Sequence, residues 1–202
     1  MDTTRQESVG SAGKAKQDAE THDPLSHGDR SWTEASVWTD RMVSALVNGV
    51  KGGRWYSLMD KVYAPATLLA AWRKVQANGG AAGVDGQSIK RFAARHVDYL
   101  AELGSALNEG AYRPQPVKRI EIPKGDGRMR PLGIPAVKDR IVQTALKFVI
   151  EPIFEETFQP GSYGFRPGRG CKDALREVDR LIRDGYTYVV DADLENYLNP
   201  LS

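Results

Sequence analysis

Apolar side chains recur along this chain at helical spacing in several stretches and take on strand character in one region. After Asp40, the expected N-cap, Met42, Val43, Leu46, Val47 and Val50 fall on one helical face before Gly52-Gly53 breaks the pattern. A second helix is expected from about Pro65 to Val75, closed by Asn78-Gly79-Gly80. Ser88 is placed to cap a third, in which Ile89, Phe92, Tyr99, Leu100, Leu103 and Leu107 share a stripe that ends near Gly110. His96 lies on that stripe, where packing is expected rather than metal binding, because no second ligand sits at a useful spacing. From Val117 to Ile122 the pattern turns β-branched, Lys124-Gly125-Asp126-Gly127 supplies turn chemistry, and extended structure resumes from Arg128 to Ile134. This predicts a β-hairpin. Pro131, lacking an N–H for the ladder, confines its strand to an edge or a bulge. Ile141, Val142, Ala145, Leu146, Val149 and Ile150 then share one face of a helix expected to end near Pro152, with Arg140, Gln143 and Lys147 on the other face. Beyond the loop Tyr163 to Gly170, a last helix is expected to bury Ala174, Leu175, Val178, Leu181 and Ile182 and to stop at Asp184-Gly185. A short strand, Tyr186 to Asp193, follows.

The first stretch, from Met1 to about Ser31, has almost no large apolar side chains and cannot offset the entropy of ordering, so a disordered tail is expected there. The remainder of the 202 residues, with hydrophobic positions at 41% overall, is enough for one ordinary core plus a small lobe. No apolar run approaches the roughly 20 residues needed to span a bilayer, and Met1 to Gly10 lacks an apolar signal core. A cytoplasmic protein with no membrane partner is the expectation. The single cysteine, Cys171, agrees with a reducing compartment and excludes an internal disulfide. Helix packing is its expected role, since no base partner points to a nucleophile.

Net charge is only +2, but it is unevenly spread. Met1 to Asp40 holds four Lys or Arg against eight Asp or Glu, whereas Arg113 to Lys147 holds nine against three, a local net of +6. A basic stretch in a nearly neutral chain is the footprint of phosphate binding, or else a solvated charged face. Lys124, Arg128 and Arg130 flank the glycine-containing turn, which puts cations and approachable backbone amides at a hairpin tip. Such a tip suits a triphosphate, the alternative being an exposed basic hairpin with no ligand. Arg113, Lys118 and Arg119 lie just upstream, where they could track a nucleic-acid backbone. The small residues of Gly79 to Gly86 let the backbone come close to another surface. Asp191 and Asp193, two apart in the expected strand, would share one mouth and suit Mg²⁺. A two-metal centre needs more carboxylates, Glu195 points away if the strand continues, and Asp-x-Asp by spacing alone often marks a turn or cap.

Taken in order, these pieces resemble the group II intron-encoded reverse transcriptases with maturase activity, over roughly Trp55 to Tyr197. The resemblance is carried by Tyr112-Arg113-Pro114, Ile120-Glu121-Ile122-Pro123-Lys124, Arg130-Pro131-Leu132-Gly133-Ile134-Pro135, Lys138-Asp139-Arg140 with Gln143, and Tyr163-Gly164-Phe165-Arg166-Pro167-Gly168-Arg169. Gly83-Val84-Asp85-Gly86 looks like the family's extra amino-terminal motif, which contacts RNA. The resemblance implies an α+β fold, the fingers and first palm strand of a right-hand polymerase, truncated and preceded by a helical extension. The implied layout is a tail over 1–40, a helical extension over 41–110, fingers over 111–185 and the start of the palm over 186–202. Lys124 and Arg130 match the residues that grip the triphosphate of a deoxynucleotide. Arg113, Lys118, Arg119, Arg166 and Arg169 would lie along template or intron RNA, and a DNA primer is the further partner. Asp193 matches the first metal-binding, catalytic aspartate for Mg²⁺; Asp191 is a common neighbour to which no metal is assigned.

The departures concern activity. Tyr197 is followed by Leu198-Asn199-Pro200, where the family usually has a second aromatic and then Asp, and Leu198 cannot stack beneath a sugar. The sequence stops at Ser202, before any paired-aspartate motif, and its last residues look like the product of a frameshift or a degenerate copy. The resemblance therefore implies the lineage of an RNA-directed DNA polymerase whose fragment is inactive alone, since one aspartate cannot hold two ions. The alternative is a non-catalytic RNA-binding remnant, and a third expectation is instability of a last strand left without neighbours.

Overall fold

The computed structural model describes residues 33–50, 53–55, 57–123, 125 and 127–193. The tail expected over Met1 to Ser31 and the position of Lys124 lie outside the described residues. Five helices come first: α1 (Asp40–Asn48), α2 (Leu58–Val62), α3 (Pro65–Asn78), α4 (Ile89–Ala93) and α5 (His96–Asn108). A hairpin, β1 (Lys118–Pro123) and β2 (Met129–Ile134), is followed by α6 (Val137–Glu155) and α7 (Cys171–Arg183). Over the described residues the fold is α+β, helices with one small antiparallel sheet.

The core forms where α3 lies against α6. Leu68, Ala71, Trp72 and Val75 of α3 are buried, spaced three and four apart, and meet Val137, Ile141, Val142, Ala145 and Val149 of α6. Phe92 of α4 packs its ring 4.7 Å from that of Trp72 and 5.1 Å from that of Tyr99. Ser88 caps α4 as expected, its hydroxyl accepting from the Arg91 N–H at 3.2 Å. The single helix expected from Ser88 to Gly110 is in fact two, broken at Ala94-Arg95. His96 Nδ1 donates to the Ala93 carbonyl oxygen at 2.9 Å, closing an acceptor that the break opens, and its ring stacks on Trp72. This histidine is a packed one.

Other boundaries also move. The cap of α1 is Thr39, whose hydroxyl accepts from Met42 N–H at 3.4 Å, and Asp40 becomes the first-turn acid that favours the helix dipole. Val37 and Trp38 are buried in the core, so the ordered body starts before residue 40 and the tail boundary there is too late. The long helix passes through Pro152 to Glu155 instead of ending before it. Proline has no N–H for the carbonyl four residues back, which is that of Phe148. Trp38 Nε1 donates to that oxygen at 2.8 Å. The indole thereby supplies the missing donor and makes the proline tolerable inside a buried helix.

The hairpin has the expected extent and pairs Lys118 with Ile134 through Pro123 with Met129. Both strands are edges, so Pro131 deprives no central ladder of a donor. The two carboxy-terminal expectations fail. No residue of α7 is buried, and Cys171 is exposed at its start, so helix packing does not account for the thiol. Tyr186 to Asp193 is coil and exposed, not a strand. A strand needs a ladder partner, and the one sheet among the described residues is the distant pair β1 and β2.

Replacing Trp38 by Phe keeps an aromatic in the core but leaves the Phe148 oxygen without its donor. The expected cost is about 1–3 kcal/mol of unfolding free energy, read from denaturant melts. An unchanged midpoint would mean the indole N–H is not what lets α6 run through Pro152.

Candidate functional site

In a strand, alternate side chains share a face, and directly paired residues lie on the same side. Lys118, Ile120 and Ile122 therefore share one face with Arg130, Leu132 and Ile134, while Arg119 points to the other. The hairpin offers cations on both faces. Lys118, Arg119 and Arg130 are all exposed. Arg119 Nε is 3.1 Å from Glu121 Oε1, an exposed pair on one strand that is worth little in water and could yield to a phosphate. Arg113, also exposed, donates through Nη1 to the carbonyls of Gly110 at 2.9 Å and Tyr112 at 2.8 Å.

The hairpin is held at both ends by the first turn of α6. Asp139 is buried there and accepts from the Tyr112 hydroxyl and, at 3.2 Å, from the Gln115 N–H. Burial first, then the hydrogen bond and charge of Asp139, raise the Tyr112 phenol well above its ordinary value. Arg140, the next residue, donates to the carbonyl oxygens of Gly79 at 3.2 Å and Ala81 at 2.6 Å. Two residues on, Gly83 lies so close to the chain leaving β2 that an added Cβ would stand 2.6 Å from Ala136 Cα. The surface that this glycine approaches is thus the protein itself, while Val84 and Asp85 remain exposed. Lys138 reaches Glu102 at 3.4 Å and lies over the Tyr99 ring at 5.0 Å. Arg113, Gln115, Lys138 and Asp139 line a cleft of about 300 Å³. The sequence hinted at Lys138-Asp139-Arg140 only through the resemblance; charged residues packed into the first turn after Pro135-Ala136 were the local signal.

The loop after α6 is built around a second buried ion pair. Arg166 and Glu155 have side chains only 5% exposed, with Arg166 Nε donating to Glu155 Oε1 at 2.8 Å and Nη2 to the same oxygen. Nη1 donates to the carbonyls of Gln159 and Ser162, both at 2.9 Å. Arg166 is therefore withdrawn from the RNA-facing set: its fork is consumed inside the protein. Arg169 is partly buried, donates to the Pro160 carbonyl and lies 5.5 Å from the Tyr163 ring centre. Within this loop it acts as a brace.

With this arrangement in view, the relatives bear on the family. A family model described as reverse transcriptase (RNA-dependent DNA polymerase) matches residues 122–197. The chain is 40% identical to Protein YkfC of Escherichia coli over 148 residues, 70% of this chain and 39% of that protein. It is 33% identical to the group II intron-encoded protein LtrA of Lactococcus lactis over 134 residues, 65% of this chain and 22% of that protein. The putative COX1/OXI3 intron 1 protein of Saccharomyces cerevisiae is 27% identical over 135 residues, 67% of this chain and 16% of that protein.

Residues 122–197 are thus similar to reverse transcriptases, and the chain over about 65% of its length to a group II intron-encoded protein. The chain spans well under half the length of these relatives. In this reverse transcriptase segment Asp191 and Asp193 stand in exposed coil, not at the mouth of a strand. Among the described residues no three His, Cys, Asp or Glu gather where they could hold an ion. Two carboxylates in open coil do not by themselves make an Mg²⁺ site. No helix among the described residues is long and apolar enough to cross a membrane.

Two outcomes follow from the buried pairs. Glu155→Ala strands the Arg166 charge in the interior and is expected to cost about 3–5 kcal/mol in a chemical melt; a loss under 1 kcal/mol, on the order of an exposed pair, would mean Arg166 escapes to water. The folded state favours the neutral Tyr112 phenol, so that contribution is complete below the ordinary value of 10.0 and is lost as pH rises beyond it. Stability should decline on the alkaline side, and Tyr112→Phe should flatten that decline in melts followed against pH.

Proposed function

We propose that this chain is the RNA-gripping and triphosphate-gripping part of an RNA-directed DNA polymerase, built as the fingers and the beginning of a right-hand palm. The observation that carries the proposal is the basic hairpin, exposed on both faces yet clamped at its entry by Asp139 and at its exit beside Gly83. Exposed cations on a rigid ribbon meet phosphates without an ordering cost at the moment of binding. Arg113, Lys118 and Arg119 follow the template or intron RNA in this reading. Arg130, with Lys124, takes the deoxynucleotide triphosphate, Arg130 supplying a planar fork and Lys124 a compact charge. The glycine loop, anchored by Arg140, places Val84 and Asp85 beside the same RNA. Asp193 is the position matching the family's first metal-binding carboxylate, one ligand of a set whose other members lie elsewhere. A DNA primer completes the list of partners.

A second reading keeps the RNA and drops the chemistry: a module that binds structured RNA. The exposed coil at Asp191 and Asp193 favours it. Both readings share the ribbon, and nucleotide binding tells them apart. In the first a deoxynucleoside triphosphate binds beside the template and Arg130→Ala weakens it; in the second the triphosphate is not taken up.

RNA affinity should fall linearly with salt on a double-logarithmic plot. Replacing Arg113, Lys118 and Arg119 together by Ala should lower that slope by about 2, roughly 0.7 per phosphate contact on single strands. A slope identical in the triple variant would remove the hairpin from the RNA interface. Arg166→Lys tests the withdrawn arginine from the other side, since it should reduce stability and leave the slope unchanged.

A further inference from the structure

Helices α3 and α5 leave an apolar cleft between them. Leu68, Leu69, Val97, Leu100 and Gly104 line a cavity of about 700 Å³, with Arg73 and His96 among its polar groups. Leu69 and Leu100 are only half-buried and Val97 is 69% exposed. A second hollow, of about 670 Å³, shares Leu69 and Arg73 with the first and adds Lys74, Phe148 and Thr33. The two form one continuous groove, of a size that takes a side chain together with its flanking backbone.

The charge of the groove narrows the class of occupant. Helix α3 contributes Arg73 and Lys74, both exposed, and contains no Asp or Glu. Among the described residues neither cation has an ion pair. The acids of α5 and of the second hollow are bonded elsewhere: Asp98 to Arg95, Glu102 to Lys138, and Glu34 to the Ser36 hydroxyl at 2.8 Å. An inorganic phosphate would meet the cations and leave the leucines wet, so the groove suits an apolar side chain flanked by carboxylates.

The chain carries such a segment close by. Thr33, the first described residue, already lies in the second hollow. Upstream of it, Asp18-Ala19-Glu20-Thr21-His22-Asp23-Pro24-Leu25 holds three acids and no Lys or Arg, and Leu25 is the one large apolar side chain between Gly10 and Ser31. The eight residue steps from Leu25 to Thr33 reach about 28 Å at full extension, ample to bring Leu25 to the first cavity. A tether of this length holds the segment at a roughly millimolar effective concentration, so a contact too weak to join separate molecules is populated within one chain. We propose that Asp18–Leu25 docks back on the helical body, Leu25 entering the cleft between α3 and α5 and Asp23 facing Arg73. The inference is independent of the RNA-gripping reading.

The test uses the full 202-residue chain carrying Cys171→Ser and Ser26→Cys, with a nitroxide on the thiol so placed and isotope-labelled Leu and Val methyl groups. Methyl resonances of Leu69, Val97 and Leu100 are expected to broaden, and to sharpen when the nitroxide is reduced. Leu25→Ser should lower the docked-to-undocked ratio about tenfold or more. Arg73→Glu should lower it about threefold, and adding Asp23→Arg to that variant should recover it. Arg73 is exposed, so the thermal melt should not move. Absent broadening, broadening indifferent to Leu25→Ser, or a charge swap that recovers nothing would overturn the proposal. Broadening in a mixture of nitroxide-bearing chain without isotope and isotope-labelled chain without nitroxide would overturn it in favour of a second copy. The salt slope of RNA binding, measured on the unsubstituted chain, tells failure here from failure of the hairpin's role.

Discussion

Asp139 is buried in the first turn of α6, and a buried carboxylate persists only where hydrogen bonds replace its lost water. The bonds it finds come from Tyr112 and Gln115, the residues leading into β1. Satisfying one acid therefore fixes where the hairpin leaves the body. The requirement runs both ways: burial first, and then the hydrogen bond and charge of Asp139, keep the Tyr112 phenol protonated, and so it remains a donor. A ribbon with little burial of its own gains a defined base in this way.

The rest of α6 works by the same principle at other points. In its first turn Arg140 gathers the carbonyls of Gly79 and Ala81, in its middle the Phe148 oxygen takes the indole of Trp38, and at its end Glu155 holds Arg166. Each is a polar group whose partner lies outside the helix. Each is satisfied by a different, otherwise irregular segment. The helix is thus a spine from which the amino-terminal segment, the glycine loop, the hairpin and the loop of residues 159–170 are hung. Dispersion and hydrophobic contact hold α3 to α6, while single hydrogen bonds decide how the loops sit.

Much of this was legible. The hairpin followed from β-branched residues on either side of a glycine turn, and Ser88 as a cap followed from its place before Ile89 and Phe92. The lineage was legible from ordered motifs whose chance recurrence together is small. Less legible were the helix ends. Asp40 and Thr39 are both competent caps, and a break at Ala94-Arg95 leaves the apolar stripe nearly in phase. Pro152 misled because local chemistry forbids what a distant indole permits. Arg166 misled in the opposite direction, since an arginine in a glycine-rich loop looks solvent-facing until Glu155 comes to meet it.

What the residues determined alone was periodicity, turn chemistry and charge, because each depends on neighbours within a few positions. Tertiary structure alone decided which polar groups found partners: Trp38 with the Phe148 oxygen lies 110 positions away, and Arg140 with the Ala81 oxygen 59 away. It also decided that the apolar stripe of α7 and the residues after it remain uncovered. An amphipathic pattern specifies that a face wants burial, but the surface that buries it belongs to whatever folds against it.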